Sequence, residues 1–199
     1  MKFKLVLFVF FALQISVNAQ TPQYLSKFPK LKSAPERQPK DITKAFPFDI
    51  ALKDTAGNLY SSAAVLPTKK KPLVVLFWLT TCGPCRMELE TIKENYDAWK
   101  KETDFRLIAI STDFDFNYAK FIDRVRVSGW QFEAYNDVQH EFMSVMPGEL
   151  NGLPQLFVFD DAGKIIYTHR RFIPGDEKEL FEVLKTAAPS NPKAVKNGR

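Results

Sequence analysis

Six consecutive residues, Leu73-Val74-Val75-Leu76-Phe77-Trp78, carry no polar side chain, and Cys82-Gly83-Pro84-Cys85 follows four positions later. An apolar run without alternation is what a strand covered on both faces looks like. Beyond the cysteines, apolar positions recur at Cys85, Leu89, Ile92, Tyr96 and Trp99. Those steps of four and three trace one stripe of a helix about four turns long. Phe105 to Ile110 is a second apolar run. Strand, helix and strand within roughly forty residues predict a right-handed crossover between two parallel strands.

The flanking segments complete an α/β domain. Phe46, Phe48, Ile50 and Leu52 alternate, and Leu59-Tyr60 lies beyond a turn at Gly57-Asn58, which predicts an N-terminal β-hairpin. Tyr118, Phe121, Ile122 and Val125 are spaced as a helix over 116–127 that Gly129 ends, and Trp130 to Tyr135 reads as a short strand. Asp137 is placed to cap a short helix through Met143. Leu156-Phe157-Val158-Phe159 and Ile165-Ile166-Tyr167 flank Asp160-Asp161-Ala162-Gly163, a second hairpin. Asp176 is placed to cap a last helix that turns Leu180, Phe181 and Leu184 to the sheet. Phe114, Phe116, Tyr118 and Phe121 are read as core or insertion packing.

The ends differ from this core. Lys2 and Lys4 precede an apolar run from Leu5 to Leu13, and Val17-Asn18-Ala19 offers small residues before Gln20. That is the order of a secretory signal peptide over 1–19, and the run is too short for the roughly 20 apolar residues that cross a bilayer. Proline-rich 20–44 is read as a linker and 188–199 as a flexible tail. Two lysines in the leader, a net +4 over 20–44 and +3 over 188–199 leave −4 of the total +5 for residues 45–187. A nucleic-acid-binding domain concentrates positive charge on its own surface, so nucleic acid is excluded as a partner. With 45% hydrophobic residues the chain is not a disordered one.

The two cysteines, the only ones in the chain, carry the chemistry. Two residues between them at a helix start let the sulfurs reach disulfide distance. Cys82 then sits beyond the free N–H groups of the helix, whose dipole stabilises a thiolate. Pro84 is tolerated in the first turn because its missing N–H would be unpaired there anyway. Cys82 is thus the expected nucleophile, and Cys85, one turn inward on the apolar stripe, the shielded resolving thiol. A zinc site would need more ligands than His140 and His169, which are distant in sequence. A purely structural disulfide across two residues would stabilise little.

The segment from Phe77 to Glu88, with Cys82-Gly83-Pro84-Cys85 at its centre, resembles the signature of thioredoxin-like proteins. The hairpin, the export signal and the helix-strand insertion at about 116–135 resemble the TlpA-like branch of periplasmic thiol–disulfide oxidoreductases. The resemblance spans about 45–187. It implies a thioredoxin-like fold, a central mixed β-sheet flanked by helices, and no bound cofactor or metal. It also implies a cis-proline facing the dithiol, matched by Pro154 in Gly152-Leu153-Pro154. Leu153, Thr81 and Trp78 would join Pro154 in positioning substrate, and the Leu153 backbone would pair with an extended polypeptide. Glu88 stands where several TlpA-like proteins use an acid to manage the resolving thiol's proton. Two departures matter. Thr81 replaces the usual tryptophan before the first cysteine. Leu76 replaces the buried aspartate of cytosolic thioredoxins, which moves proton handling towards Glu88.

The implied activity is reduction or exchange of disulfides in exported proteins, apocytochrome c among the candidate clients, with a membrane electron donor resupplying the dithiol. Two alternatives share the fold. A peroxiredoxin-like enzyme would need a hydroxyl residue three positions before the nucleophile, where Leu79 stands. A copper-chaperone-like module would use three residues between the cysteines and a histidine.

Overall fold

β3 (Leu73–Trp78) occupies the middle of the fold because none of its six side chains tolerates water, and all six are buried. The computed structural model describes Phe46 and residues 48–187. The signal peptide, linker and tail expected at 1–19, 20–44 and 188–199 lie outside the described residues. β3 pairs in parallel with β4 (Arg106–Ser111) and antiparallel with β6 (Gln155–Phe159). The predicted crossover between β3 and β4 runs through α2 (Gly83–Glu102).

With Ala51–Lys53 as β1, Leu59–Ser61 as β2, Glu133–Asp137 as β5 and Ile165–Arg170 as β7, a seven-stranded sheet takes the order β2-β1-β5-β4-β3-β6-β7. β1 (Ala51–Lys53) and β2 (Leu59–Ser61) form the expected N-terminal hairpin. Its turn is organised by the Asp54 carboxylate, whose Oδ1 accepts from the N–H groups of Ala56 and Asn58. β6 and β7 (Ile165–Arg170) form the second hairpin. Mixed strand directions with helices on both faces give the thioredoxin-like α/β fold.

Alternation along β3 divides the core. Val74, Leu76 and Trp78 pack with α2, with Phe121 of α3 (Tyr118–Ser128) and with Leu180 and Leu184 of α5 (Asp176–Ala187). Leu73, Val75 and Phe77 face the other layer, with Ile50, Leu52, Val65 of α1 (Ser62–Val65) and Phe142 of α4 (Phe142–Val145). Of the predicted stripe of α2, Cys85, Leu89, Ile92 and Trp99 are buried and Tyr96 is half-buried against the same layer. Gly129 ends α3 in the left-handed conformation, φ 59°, which glycine adopts without a Cβ clash.

Three boundaries differ from expectation. β5 spans Glu133–Asp137 rather than starting at Trp130. Trp130 packs edge-on against Trp78 and stacks on Phe132, so core packing takes precedence over strand pairing there. α4 begins only at Phe142. The Asp137 carboxylate accepts from the N–H groups of Glu141 and Phe142, but His140, at φ 55°, interrupts any helix starting directly after Asp137. Asp176 is the first residue of α5 rather than a residue before it, and its Oδ2 accepts from the N–H of Ile173.

Candidate active site

The end of β3 delivers the chain into α2 through Leu79-Thr80-Thr81, and a buried acid holds this loop. Asp113, 1% exposed, accepts from the Thr80 N–H at 2.8 Å and from the Thr80 hydroxyl at 2.8 Å. It also accepts from the Ser111 hydroxyl at 2.6 Å. Charge-assisted bonds of this kind are the strong ones, so the residues leading into the dithiol are tied to the end of β4. Sequence reasoning missed Asp113, since only the parallel pairing of β3 and β4 brings it beneath Thr80.

Cys82 and Cys85 are joined in a disulfide, with Cα atoms 5.3 Å apart. Cys82 caps α2: its Sγ accepts from the Cys85 N–H at 3.2 Å. The two sulfurs differ sharply in environment. Cys85 is 0% exposed, within the core layer of Leu89 and Trp78. Cys82 is half-buried and lines a cleft of about 610 Å³.

The walls of that cleft correct one expectation. Phe114 lines it and is 58% exposed, stacked at 5.6 Å on Phe116, itself 81% exposed. These two rings are therefore not packing residues, whereas Tyr118 and Phe121 are half-buried and buried in the core layer. His140 lines the same cleft with its ring 4.3 Å from Phe114, so this histidine, remote in sequence, is close to the dithiol in space. Leu79, Met143 and Leu153 supply further apolar wall.

The expected positioning residues separate. The Leu153–Pro154 bond is cis, Pro154 is buried, and Leu153 lines the cleft beside Cys82. Thr81 is exposed but faces a second cleft, of about 330 Å³, with Lys120, Asp123 and Arg124. Trp78 is 0% exposed, packed against Trp130 at 5.2 Å and Phe121 at 6.2 Å. It has no surface to offer a substrate, because the last side chain of β3 points into the α2 layer. Its part is structural, and the substrate-positioning expectation for Trp78 is corrected accordingly.

Glu88 lies one turn beyond Cys85 on α2 and is 1% exposed. Residues three apart on a helix have Cβ atoms about 5–6 Å from each other. Its Oε1 is 2.6 Å from His169 Nε2, and its Oε2 has no hydrogen-bond partner. Burial raises the Glu88 carboxyl above its ordinary range, and the His169 contact works against that rise. Burial alone would lower the His169 imidazole, but the Glu88 carboxylate, with Asp176 and Glu179 on α5, carries it above its ordinary value. The two histidines thus have different settings, His140 in the cleft that Cys82 lines and His169 against Glu88. The signal for His169 was the alternation of β7, which puts Tyr167 and His169 on one face. Nothing local says that this face meets Glu88. Among the described residues no three His, Cys, Asp or Glu side chains converge as a metal site would require.

A thioredoxin-like fold with an asymmetric dithiol at a helix start defines the class, a thiol–disulfide oxidoreductase. Residues 42–168 match the AhpC/TSA family, and the chain belongs to it. Among solved structures it is similar to an uncharacterized thioredoxin-like protein from Porphyromonas gingivalis. The identity is 32%, covering 71% of this chain and 90% of that one, with a TM-score of 0.62. A putative protein disulfide isomerase from Bacteroides thetaiotaomicron is 20% identical over 71% of this chain and 86% of that one, TM-score 0.59. A putative thiol:disulfide interchange protein DsbE from Chlorobium tepidum is 22% identical over 70% and 93%, TM-score 0.55. None of the curated proteins compared with it matches this chain.

Proposed function

We propose that this protein reduces or exchanges disulfides in exported polypeptides. The observation that carries the reading is the unequal burial of the two sulfurs, Cys82 at the edge of an apolar cleft and Cys85 sealed in the core. In the reduced protein, the Cys85 N–H that now points at Cys82 Sγ would face a thiolate, as would the positive end of α2. Cys82 attacks one sulfur of a substrate disulfide, forming a mixed disulfide and releasing the first substrate thiolate. Cys85 then loses its proton to Glu88 and attacks Cys82 Sγ. The second substrate thiolate leaves, two electrons have passed to the substrate, and the protein holds the disulfide seen here.

The client lies in the cleft as an extended segment, its backbone beside Leu153 and Pro154 and apolar side chains against Phe114 and Met143. Export through the leader read at 1–19 and resupply by a membrane-held dithiol complete the cycle. That some similar structures are named thiol:disulfide interchange proteins supports this reading. A peroxide-reducing role has less support. Leu79 stands where that chemistry wants a hydroxyl, and the hydroxyl of the adjoining Thr80 is engaged by Asp113.

The test is reduction of insulin disulfides by the dithiol-reduced protein. Cys82→Ser abolishes it, while Cys85→Ser accumulates a mixed disulfide. Full activity in the Cys82 variant, or peroxide turnover faster than disulfide reduction, overturns the reading. The dithiol's reduction potential fixes the direction: about −270 mV marks a reductant of the thioredoxin type, and about −120 mV an oxidant.

A further inference from the structure

Behind the disulfide, a line of polar groups runs from the core to the surface, and the mechanism so far uses only its first member. Glu88 Oε1 meets His169 Nε2 at 2.6 Å, and His169 Nδ1 meets the Tyr167 hydroxyl at 3.2 Å. The Asp176 and Glu179 carboxylates of α5 act on both Tyr167 and His169, and Glu179 is exposed. Three elements, α2, β7 and α5, thus contribute to one path. Glu88 Oε2 stands at the inner end with no partner.

We propose that Glu88, His169 and Tyr167 form a charge-neutral proton relay for the resolving thiol, in which a proton enters at Glu88 Oε2 as another leaves His169 Nδ1 through the Tyr167 hydroxyl. This rests on the reading that Glu88 takes the Cys85 proton. An isolated carboxylate, 1% exposed, is strongly disfavoured as an anion. Buried alone, Glu88 would hold its own proton and could not accept another. An imidazolium at Oε1 works against that penalty and favours the anion, and a pair of carboxylate and imidazolium carries no net charge.

When Cys85 gives its proton to Oε2, Glu88 becomes neutral and the imidazolium loses the anion that stabilised it. The Nδ1 proton then passes to the Tyr167 hydroxyl, and the hydroxyl's own proton passes on towards Glu179 and solvent. The pair is again neutral in sum, now as carboxylic acid and imidazole. Reduction of the protein runs the relay backwards: Glu88 returns its proton to the Cys85 thiolate, and His169 regains one from outside. Each turnover moves one proton across the relay, and no net charge is left in the core at either end. Tyr167, held up at about 12 by burial and the α5 carboxylates, acts as a hydroxyl throughout. Because His169 acts through Glu88, it is a positioning residue and not a catalytic one.

The experiment mixes the reduced full-length protein with a peptide disulfide and follows two phases, formation of the Cys82 mixed disulfide and its resolution by Cys85. In His169→Gln the first phase keeps its rate and the second slows about tenfold near neutral pH, with the His169 titration gone from its pH profile. Tyr167→Phe slows the second phase about threefold. Glu88→Gln slows it at least as much as His169→Gln, and the double variant is no slower than Glu88→Gln. If Glu88→Gln resolves at the wild-type rate, the assignment of Glu88 falls and the relay with it. If Glu88→Gln is slow but His169→Gln and Tyr167→Phe keep the wild-type rate and pH profile, the relay alone is overturned. Loss of the first phase in His169→Gln would report misfolding. Tyr167→Phe, which leaves the Glu88–His169 contact in place, then decides by the same two-phase readout.

Discussion

The two sulfurs of one disulfide face opposite kinds of surroundings. Around Cys82 the chain presents aromatic and aliphatic side chains to water: Phe114, Phe116 and Met143 are all exposed. Around Cys85 it buries charge-bearing groups, Glu88 and much of His169, among apolar neighbours. Both arrangements run against the usual preference of these residue types. Exposed apolar surface suits a partner that comes and goes, whereas a buried titratable pair suits a proton that must be moved without water. On the proposed function, the contrast would put substrate capture on one side of a single covalent bond and proton handling on the other.

The largest test of that contrast exchanges one sulfur at a time. Cys82→Ser should drop disulfide reduction to background, and Cys85→Ser should keep the first attack and stall afterwards, read as a trapped adduct by mass spectrometry. Equal loss of the first attack in both variants would erase the distinction.

Next comes packing. Phe121→Ala, in the layer beneath the dithiol, should destabilise the fold by about 3–5 kcal/mol in urea titration, because Phe121 is 0% exposed and supports Trp78.

A smaller effect concerns pH. Both Glu88 and His169 titrate above their unfolded values in the oxidised protein. Their contribution to stability is therefore fully present below the unfolded carboxyl range and is lost as pH rises through the raised values. Urea midpoints should fall as pH rises from the unfolded carboxyl range through the raised values of the pair, and Glu88→Gln should flatten that slope. A steeper fall in the variant would mean that the pair stabilises the fold at high pH rather than at low pH.

The smallest effect is expected beside the cleft, at the ring stacked behind Phe114. Phe116→Ser should alter stability by no more than about 0.5 kcal/mol, since its ring is 81% exposed and stacks only on Phe114. A cost like that of Phe121→Ala would return Phe116 to the core and remove one wall of the comparison.

The dithiol and its helix were legible in the sequence because their logic is local. Spacing within α2 places Cys85 on the stripe of Leu89 and Ile92, and the helix start faces Cys82 wherever the helix lies. The run from Leu73 to Trp78 likewise declares a doubly covered strand without reference to what covers it. Phe114 and Phe116 were misread for the opposite reason. They follow a buried strand and precede a helix, and composition cannot distinguish an aromatic that is covered by the core from one that pairs with its neighbours at the surface. Trp78, which the resemblance places among the substrate-positioning residues, belongs to the core because alternation along β3 ends on the α2 face.

What the amino-acid order alone determined is therefore the identity of the reacting atoms, their spacing and the period of the elements that carry them. Strand pairing decided the rest. The parallel register of β3 and β4 put Asp113 under Thr80, and packing between α2 and β7 brought His169 to Glu88 across 81 residues of chain. Contacts of that separation depend on how layers stack, and the periodicity of a single segment encodes which face is apolar but not which face it will meet.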